Sequence, residues 1–131
     1  MIFVDTSAWF AAVIASDPNH RKAQSWLTAN QAKLTTTDYI VDETLTLLRA
    51  RGQTARALVL GQELFAASRA ALHFLTESDI RAAWDVYRKF QDKDWSFTDC
   101  TSKVVIEKLG LASAFSFDHH FFQFGSVVVV P

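Results

Sequence analysis

The chain has 131 residues, of which 50% are hydrophobic and 21% charged, and its net charge is −1. This length and composition predict one globular domain over residues 1–131 and exclude a disordered chain. The balanced charge excludes a uniformly basic nucleic-acid coat, so contact with nucleic acid would need local positive charge. The single cysteine, Cys100, excludes an internal disulfide and, with no apolar run of membrane-spanning length, favours a cytoplasmic protein.

The first ten residues, MIFVDTSAWF, predict a short buried strand over residues 2–4 that runs into Asp5. Thr6 and Ser7 are expected to cap a helix over residues 8–15, since hydroxyl groups accept the first free N–H groups of a helix. Open α/β sheets place their chemistry at the carboxyl end of a strand, just before a helix begins. Asp5 is therefore the first candidate site residue.

Strands and helices alternate along the rest of the chain. Further strands are predicted over residues 33–36, 72–75, 114–117 and 127–130. Further helices are predicted over residues 20–30, 39–51, 53–68 and 76–90, with a last one that opens at Ser96 and ends at Leu109. This alternation is typical of an α/β protein, here a three-layer α/β/α fold with a mainly parallel central sheet.

Three more acids are predicted to gather near Asp5. Asp118 follows the fourth strand, and the carboxyl ends of neighbouring parallel strands share one edge of a sheet. Asp99 lies in the first turn of its helix, where it can also form a capping box with Ser96. Glu43 lies at the border of the buried stripe of the third helix, where a glutamate is usually just solvated. Asp5 and Asp118 could each be only an N-cap, so the prediction depends on all four acids together.

Carboxylates this close would repel one another, and some would take up protons, unless a cation neutralised them. Oxygen ligands with room for water suit Mg²⁺ or Mn²⁺. Such a site can activate a water molecule and stabilise charge on a scissile phosphate. Thr6, Ser7 and Thr98 are candidates to orient ligands or waters around the metal. The sequence therefore predicts a metal-dependent site for phosphoryl chemistry.

Four blocks of the chain, in order, resemble PIN domains of the VapC toxin type: FVDTSAW, VDETLTLLR, WSFTDC and FSFDHHF. The family's catalytic and metal-binding acids match four residues here, Asp5, Glu43, Asp99 and Asp118. The resemblance implies a PIN-like fold and a Mg²⁺- or Mn²⁺-dependent endoribonuclease that leaves 5′-phosphate and 3′-hydroxyl ends. It also implies an RNA substrate, a homodimer, and a cognate antitoxin whose C-terminal segment occupies the active-site groove.

Two other functions stay open from the sequence. A metal-independent ribonuclease would use histidines as acid and base, and His119 and His120 adjoin Asp118. His20 begins a surface helix, and His73 is expected to be structural. A PIN-like module that binds RNA or protein without cutting would be expected to lack one acid, and all four are present.

The remaining residues are interpreted one by one. Asp94 is interpreted as a loop residue rather than a fifth ligand, and Cys100 as a packed small residue. Trp9 and Phe10 are expected to pack in the core or at an interface rather than against a base. The third and fourth helices could meet a second copy or an antitoxin. Candidates for contacts with RNA phosphates are four basic residues, Arg49, Arg51, Lys89 and Lys93.

Overall fold

The computed structural model describes residues 1–131, in which five strands alternate with six α-helices. Strands β1 to β5 are Ile2–Val4, Leu34–Thr37, Ala71–His73, Ser113–Phe115 and Val128–Val130. Helices α1 to α6 are Thr6–Val13, His20–Ala29, Asp38–Ala50, Thr54–Phe65, Glu77–Lys89 and Phe97–Lys108, and a 3₁₀ helix covers His119–Phe124. All strands are parallel, in the order β3-β2-β1-β4-β5, and the helices complete three layers. The predicted fold class is confirmed.

Strand β1 lies at the centre of the sheet, between β2 and β4. Its Phe3 and Val4 are fully buried, as expected for an apolar strand covered on both faces. The ring of Phe3 packs 6.2 Å from that of Phe121, and Val4 pairs with Phe115 of β4. This pairing holds the carboxyl ends of β1 and β4 side by side, which is where the two strand-end aspartates follow.

Helix α4 buries only part of its apolar pattern. Its apolar residues Leu60 and Leu64 are buried, whereas Leu58 and Phe65 are 65% and 59% exposed. Its buried residues are Ala57, Leu60, Gly61 and Leu64, spaced to form one helix face. A Cβ on Gly61 would lie 3.3 Å from Cδ2 of Leu45 on α3. Small residues therefore let α3 and α4 approach closely, and the larger apolar side chains of α4 point outward.

Helix α5 is also only partly buried along its apolar repeat. Ala83 is fully buried, whereas Trp84 and Tyr87 are about half exposed and stack on each other with ring centroids 5.9 Å apart. Helix boundaries differ by up to three residues from those predicted, most of all at the end of α4. No helix is both long enough and apolar enough to span a membrane.

A buried aspartate fastens β3, α5 and α6 together. Asp79 completes the capping box of α5, accepting the Thr76 N–H at 3.0 Å. The same carboxylate contacts Nε2 of His73 at 3.0 Å and accepts a hydrogen bond from Nζ of Lys108 at 2.7 Å. His73 therefore has the structural role predicted for it.

Candidate active site

Asp5 directly follows the central strand, and its side chain is held by hydrogen bonds to one of its two oxygens. Its Oδ2 accepts hydrogen bonds from the hydroxyl of Ser7 at 2.7 Å, the N–H of Ser7 at 3.3 Å and the hydroxyl of Ser116 at 3.1 Å. Asp5 is therefore the N-cap of α1, and Thr6 and Ser7 lie in the first turn of that helix. The prediction that Thr6 and Ser7 cap the helix was wrong. All three residues favour caps, so their order alone could not decide between them.

The two serines tie Asp5 to the loop that carries Asp118. Ser7 Oγ accepts the N–H of Phe117 at 2.9 Å, and Ser116 Oγ accepts the N–H of Asp118 at 3.0 Å. Ser116 is buried and lies 111 positions from Asp5 in the sequence, so no local pattern identified it. Asp118 then caps the 3₁₀ helix, accepting the N–H of His120 at 2.9 Å through Oδ1.

Asp99 is fixed from two directions through one oxygen. It forms the predicted capping box, in which its Oδ2 accepts the N–H of Ser96 at 3.0 Å and Ser96 Oγ accepts the N–H of Asp99. The same Oδ2 lies 2.9 Å from Nδ1 of His120. Since an ionised carboxylate can only accept, Nδ1 carries the proton. The position of His120 beside Asp118 is evident from the sequence, but its contact with Asp99 is not, because Asp99 lies on another element.

Glu43 projects from α3, half-buried at the border of the apolar stripe, as predicted. The α3 residue beside it, Thr44, donates a hydrogen bond to the Thr6 hydroxyl at 3.2 Å, which packs α3 against the start of α1. Burial raises the pKa of Glu43, and the charges of Asp99 and Asp118 raise it further, while the Thr6 hydroxyl opposes them.

The four acids, called here the acidic quartet (Asp5, Glu43, Asp99 and Asp118), interact electrostatically as one group. Burial raises the pKa of Asp5 to about 7, and the charges of Glu43 and Asp118 act in the same direction. Burial also raises the pKa of Asp99, followed by the charge of Asp118, while Ser96 and His120 oppose the shift. The structure therefore brings all four predicted site residues to one end of the sheet, where each ionised carboxylate penalises the others.

The quartet has the donor chemistry of a divalent-cation site. Every hydrogen bond to Asp5 and to Asp99 falls on Oδ2, and the hydrogen bond to Asp118 falls on Oδ1. Each of these three carboxylates thus keeps one oxygen without a protein donor. Monodentate carboxylate oxygens with room for water fit Mg²⁺ or Mn²⁺.

The histidines do not form an acid–base pair around a phosphate. The rings of His119 and His120 lie 4.4 Å apart, which leaves no space for a phosphate between them. The ligand nitrogens of these two residues and the Asp118 carboxylate lie within 4.8 Å of one another, but the His119 side chain is 79% exposed. His20 Nδ1 is 2.7 Å from the Ala11 carbonyl and links α2 to α1.

The remaining predicted residues lie outside this cluster. Thr98 makes no side-chain hydrogen bond to the quartet, and Asp94 is exposed in the loop before α6. Trp9 is buried and donates to Thr36 Oγ1 at 3.4 Å, so it belongs to the core. Cys100 is buried, and burial raises the pKa of its thiol to about 11, as expected for a packed cysteine rather than a nucleophile.

Comparison with known proteins identifies relatives over the full chain. A PIN-domain profile matches residues 2–126. The chain is 32% identical to the 23S rRNA-specific endonuclease VapC20 of Mycobacterium tuberculosis, over 100% of this chain and 99% of the relative. It superposes on the crystal structure of that VapC20, a sarcin–ricin loop cleaving toxin, with a TM-score of 0.92 and 30% identity over 100% of both chains. FitAcB from Neisseria gonorrhoeae has a TM-score of 0.68 at 20% identity, covering 100% of this chain and 97% of its own, which shows the shared fold.

The five-stranded parallel sheet, with acids clustered at its carboxyl edge, defines an α/β protein of the PIN-like class. The full-length matches in sequence and structure are consistent with that class. The chain belongs to the PIN-domain family, and VapC20 is a relative over its full length.

Proposed function

We propose that residues 1–131 form a single PIN-like domain that acts as the endoribonuclease toxin of a toxin–antitoxin pair. The observation that carries the proposal is the acidic quartet, drawn from four separate segments and coupled electrostatically at one end of the sheet. The 32% identity to a ribosomal RNA endonuclease supports RNA as the substrate. The proposed cofactor is Mg²⁺ or Mn²⁺, held by the quartet.

The residues of the quartet would hold the cation and manage protons around the scissile phosphate. When bound, the metal supplies positive charge that lowers the repulsion among the carboxylates and stabilises the phosphate undergoing attack. Ser7 and Ser116 keep Oδ2 of Asp5 occupied, so that its other oxygen is available. One carboxylate of the quartet would accept the proton of the attacking water as general base. Hydrolysis of this kind leaves 5′-phosphate and 3′-hydroxyl ends.

The quartet is partly open to a ligand. Glu43 and Asp118 are only partly buried, although Asp5 and Asp99 are buried. Because the VapC20 relative cleaves the sarcin–ricin loop, we propose a structured RNA loop as the class of substrate.

The proposed partners follow from the family and the exposed surface. A cognate antitoxin would cover the quartet, and a homodimer would cover apolar side chains that the monomer exposes, such as Phe65 and Trp84. A cytoplasmic location fits the unpaired Cys100.

The experiment is cleavage of a structured RNA by antitoxin-free protein in Mg²⁺, Mn²⁺ or EDTA. Asp99→Asn and Glu43→Gln should reduce the cleavage rate by at least about 100-fold, as expected when an interaction worth several kcal/mol in the transition state is lost. The matched control is Asp94→Asn, which removes an exposed carboxylate close to Asp99 in the sequence and should cleave like wild type. Cleavage that persists in EDTA, or in both quartet variants, would contradict the proposal. A wild-type protein that binds the RNA without cutting it in either metal would favour a binding module.

A further inference from the structure

One histidine joins two acids of the quartet that come from different elements. His120 lies in the first turn of the 3₁₀ helix, and its Nδ1 reaches across to Oδ2 of Asp99 on α6, at 2.9 Å. The backbone N–H of the same residue donates to Oδ1 of Asp118 at 2.9 Å, and its Nδ1 is 3.5 Å from that oxygen. His120 therefore contacts both carboxylates at once, and its side chain is only 18% exposed.

These contacts select which oxygen of each acid stays available. Asp99 Oδ2 already accepts the Ser96 N–H, and the His120 proton completes its hydrogen bonding. The hydrogen bond to Asp118 falls on Oδ1. One histidine thus leaves Oδ1 of Asp99 and Oδ2 of Asp118 without protein donors, and it restricts the rotation of both carboxylates.

The adjacent histidine makes no comparable contacts. The side chain of His119 is 79% exposed, and its nearest carboxylate contact is 3.8 Å from Nδ1 to Oδ1 of Asp118. The two residues share the same local sequence and the same helix, so their difference is one of side-chain placement. His119 is therefore a matched control for His120.

We propose that His120 is a positioning residue that orients Asp99 and Asp118 as ligands of the cation. The proposal rests on the metal-dependent function proposed above. It assigns His120 a role around the ligands, in which Nδ1 holds Asp99 and the backbone N–H holds Asp118, and it makes ligation by Nε2 the competing outcome of the test. Groups that hold ligands in this way change metal affinity by about 10- to 100-fold when they are removed.

Three variants separate positioning from direct ligation and from simple packing. His120→Phe keeps a ring but removes the donor. His120→Asn keeps an N–H donor near the position of Nδ1, so it can still orient Asp99. It has no atom at the position of Nε2, so it cannot replace a metal ligand there. His119→Phe is the control. The readout is Mn²⁺ affinity, measured by isothermal titration calorimetry and by loss of the electron paramagnetic resonance signal of free Mn²⁺. Urea denaturation in EDTA gives the stability of the metal-free protein.

The expected result is that His120→Phe weakens Mn²⁺ binding by about 10-fold or more. The Mn²⁺ affinity of His120→Asn should stay within a few-fold of that of wild type, and the Mn²⁺ affinity of His119→Phe should equal that of wild type. Unchanged or tighter Mn²⁺ binding in His120→Phe would overturn the proposal. This holds also if urea denaturation in EDTA shows that His120→Phe is less stable than wild type, because His120 would then act only on folding. Equal losses in His120→Asn and His120→Phe would overturn it in favour of direct ligation. The proposed function fails separately, if wild type binds no Mn²⁺ or if Asp99→Asn binds it as tightly as wild type.

Discussion

Replacing Asp5 with asparagine should stabilise the metal-free protein, and more so as the pH rises. Burial, with the charges of Glu43 and Asp118, raises the pKa of Asp5 from 3.8 to about 7 in the folded state. Between these values the folded protein keeps a proton that the unfolded chain has released, so the free energy of unfolding falls as pH increases. Each pKa unit corresponds to about 1.4 kcal/mol, and the folded protein has already released half of this proton at pH 7, so Asp5 should lower the free energy of unfolding by about 2 kcal/mol between pH 5 and pH 7.

The assay is urea denaturation in EDTA at several pH values from 5 to 8. The Asp5→Asn variant retains a side-chain oxygen that can accept from Ser7 but carries no charge, so its curve should lack this part of the pH dependence. Asp94→Asn is the exposed control and should follow wild type. Added Mn²⁺ should stabilise wild type but not Asp5→Asn, since only the folded state has the assembled site. Parallel pH profiles for wild type and Asp5→Asn would refute the reasoning.

Three further predictions concern stability, thiol reactivity and RNA binding. Asp79→Asn should lower the free energy of unfolding by about 2 kcal/mol at pH 7, measured with urea, because it loses charged hydrogen bonds. Burial tends to raise the pKa of Asp79, but the hydrogen bond from Lys108 outweighs it and holds this pKa below its usual range. The difference in the free energy of unfolding between Asp79→Asn and wild type should therefore shrink as pH falls. Cys100 should react with a thiol reagent slowly when folded and rapidly in urea; fast reaction of the folded protein would contradict its packing. Lys93→Ala should weaken RNA binding and lower the salt slope by about one; an unchanged slope would remove Lys93 from the interface.

The sequence predicted the elements that place the acids, because those signals are local. An apolar run before Asp5 and another before Asp118 indicate strands, and parallel pairing brings their carboxyl ends together. The spacing of Ser96 and Asp99 identified the capping box that the structure contains. The four predicted acids therefore lie together, although their roles as metal ligands stay a prediction.

Other features depend on distant contacts that no short pattern encodes. Ser116 meets Asp5 across 111 positions, and His120 meets Asp99 across 21. The buried face of α4 follows from the close approach at Gly61, so the apolar side chains of Leu58 and Phe65 on the same helix stay exposed. In each case the tertiary partner decides the role of the side chain, and the partner is invisible in the local sequence.

The most direct test of the acidic quartet as a metal-dependent hydrolase is the chemistry of the RNA ends that it produces. RNA cut by the purified protein in Mg²⁺ or Mn²⁺ would be mapped by phosphatase, kinase and ligase treatment of the fragments. The predicted result is 5′-phosphate and 3′-hydroxyl ends, formed only with metal and lost in Asp5→Asn and Asp99→Asn. Ends carrying 2′,3′-cyclic phosphate, produced equally in EDTA, would contradict the account and assign the reaction to attack by the RNA's own 2′-hydroxyl.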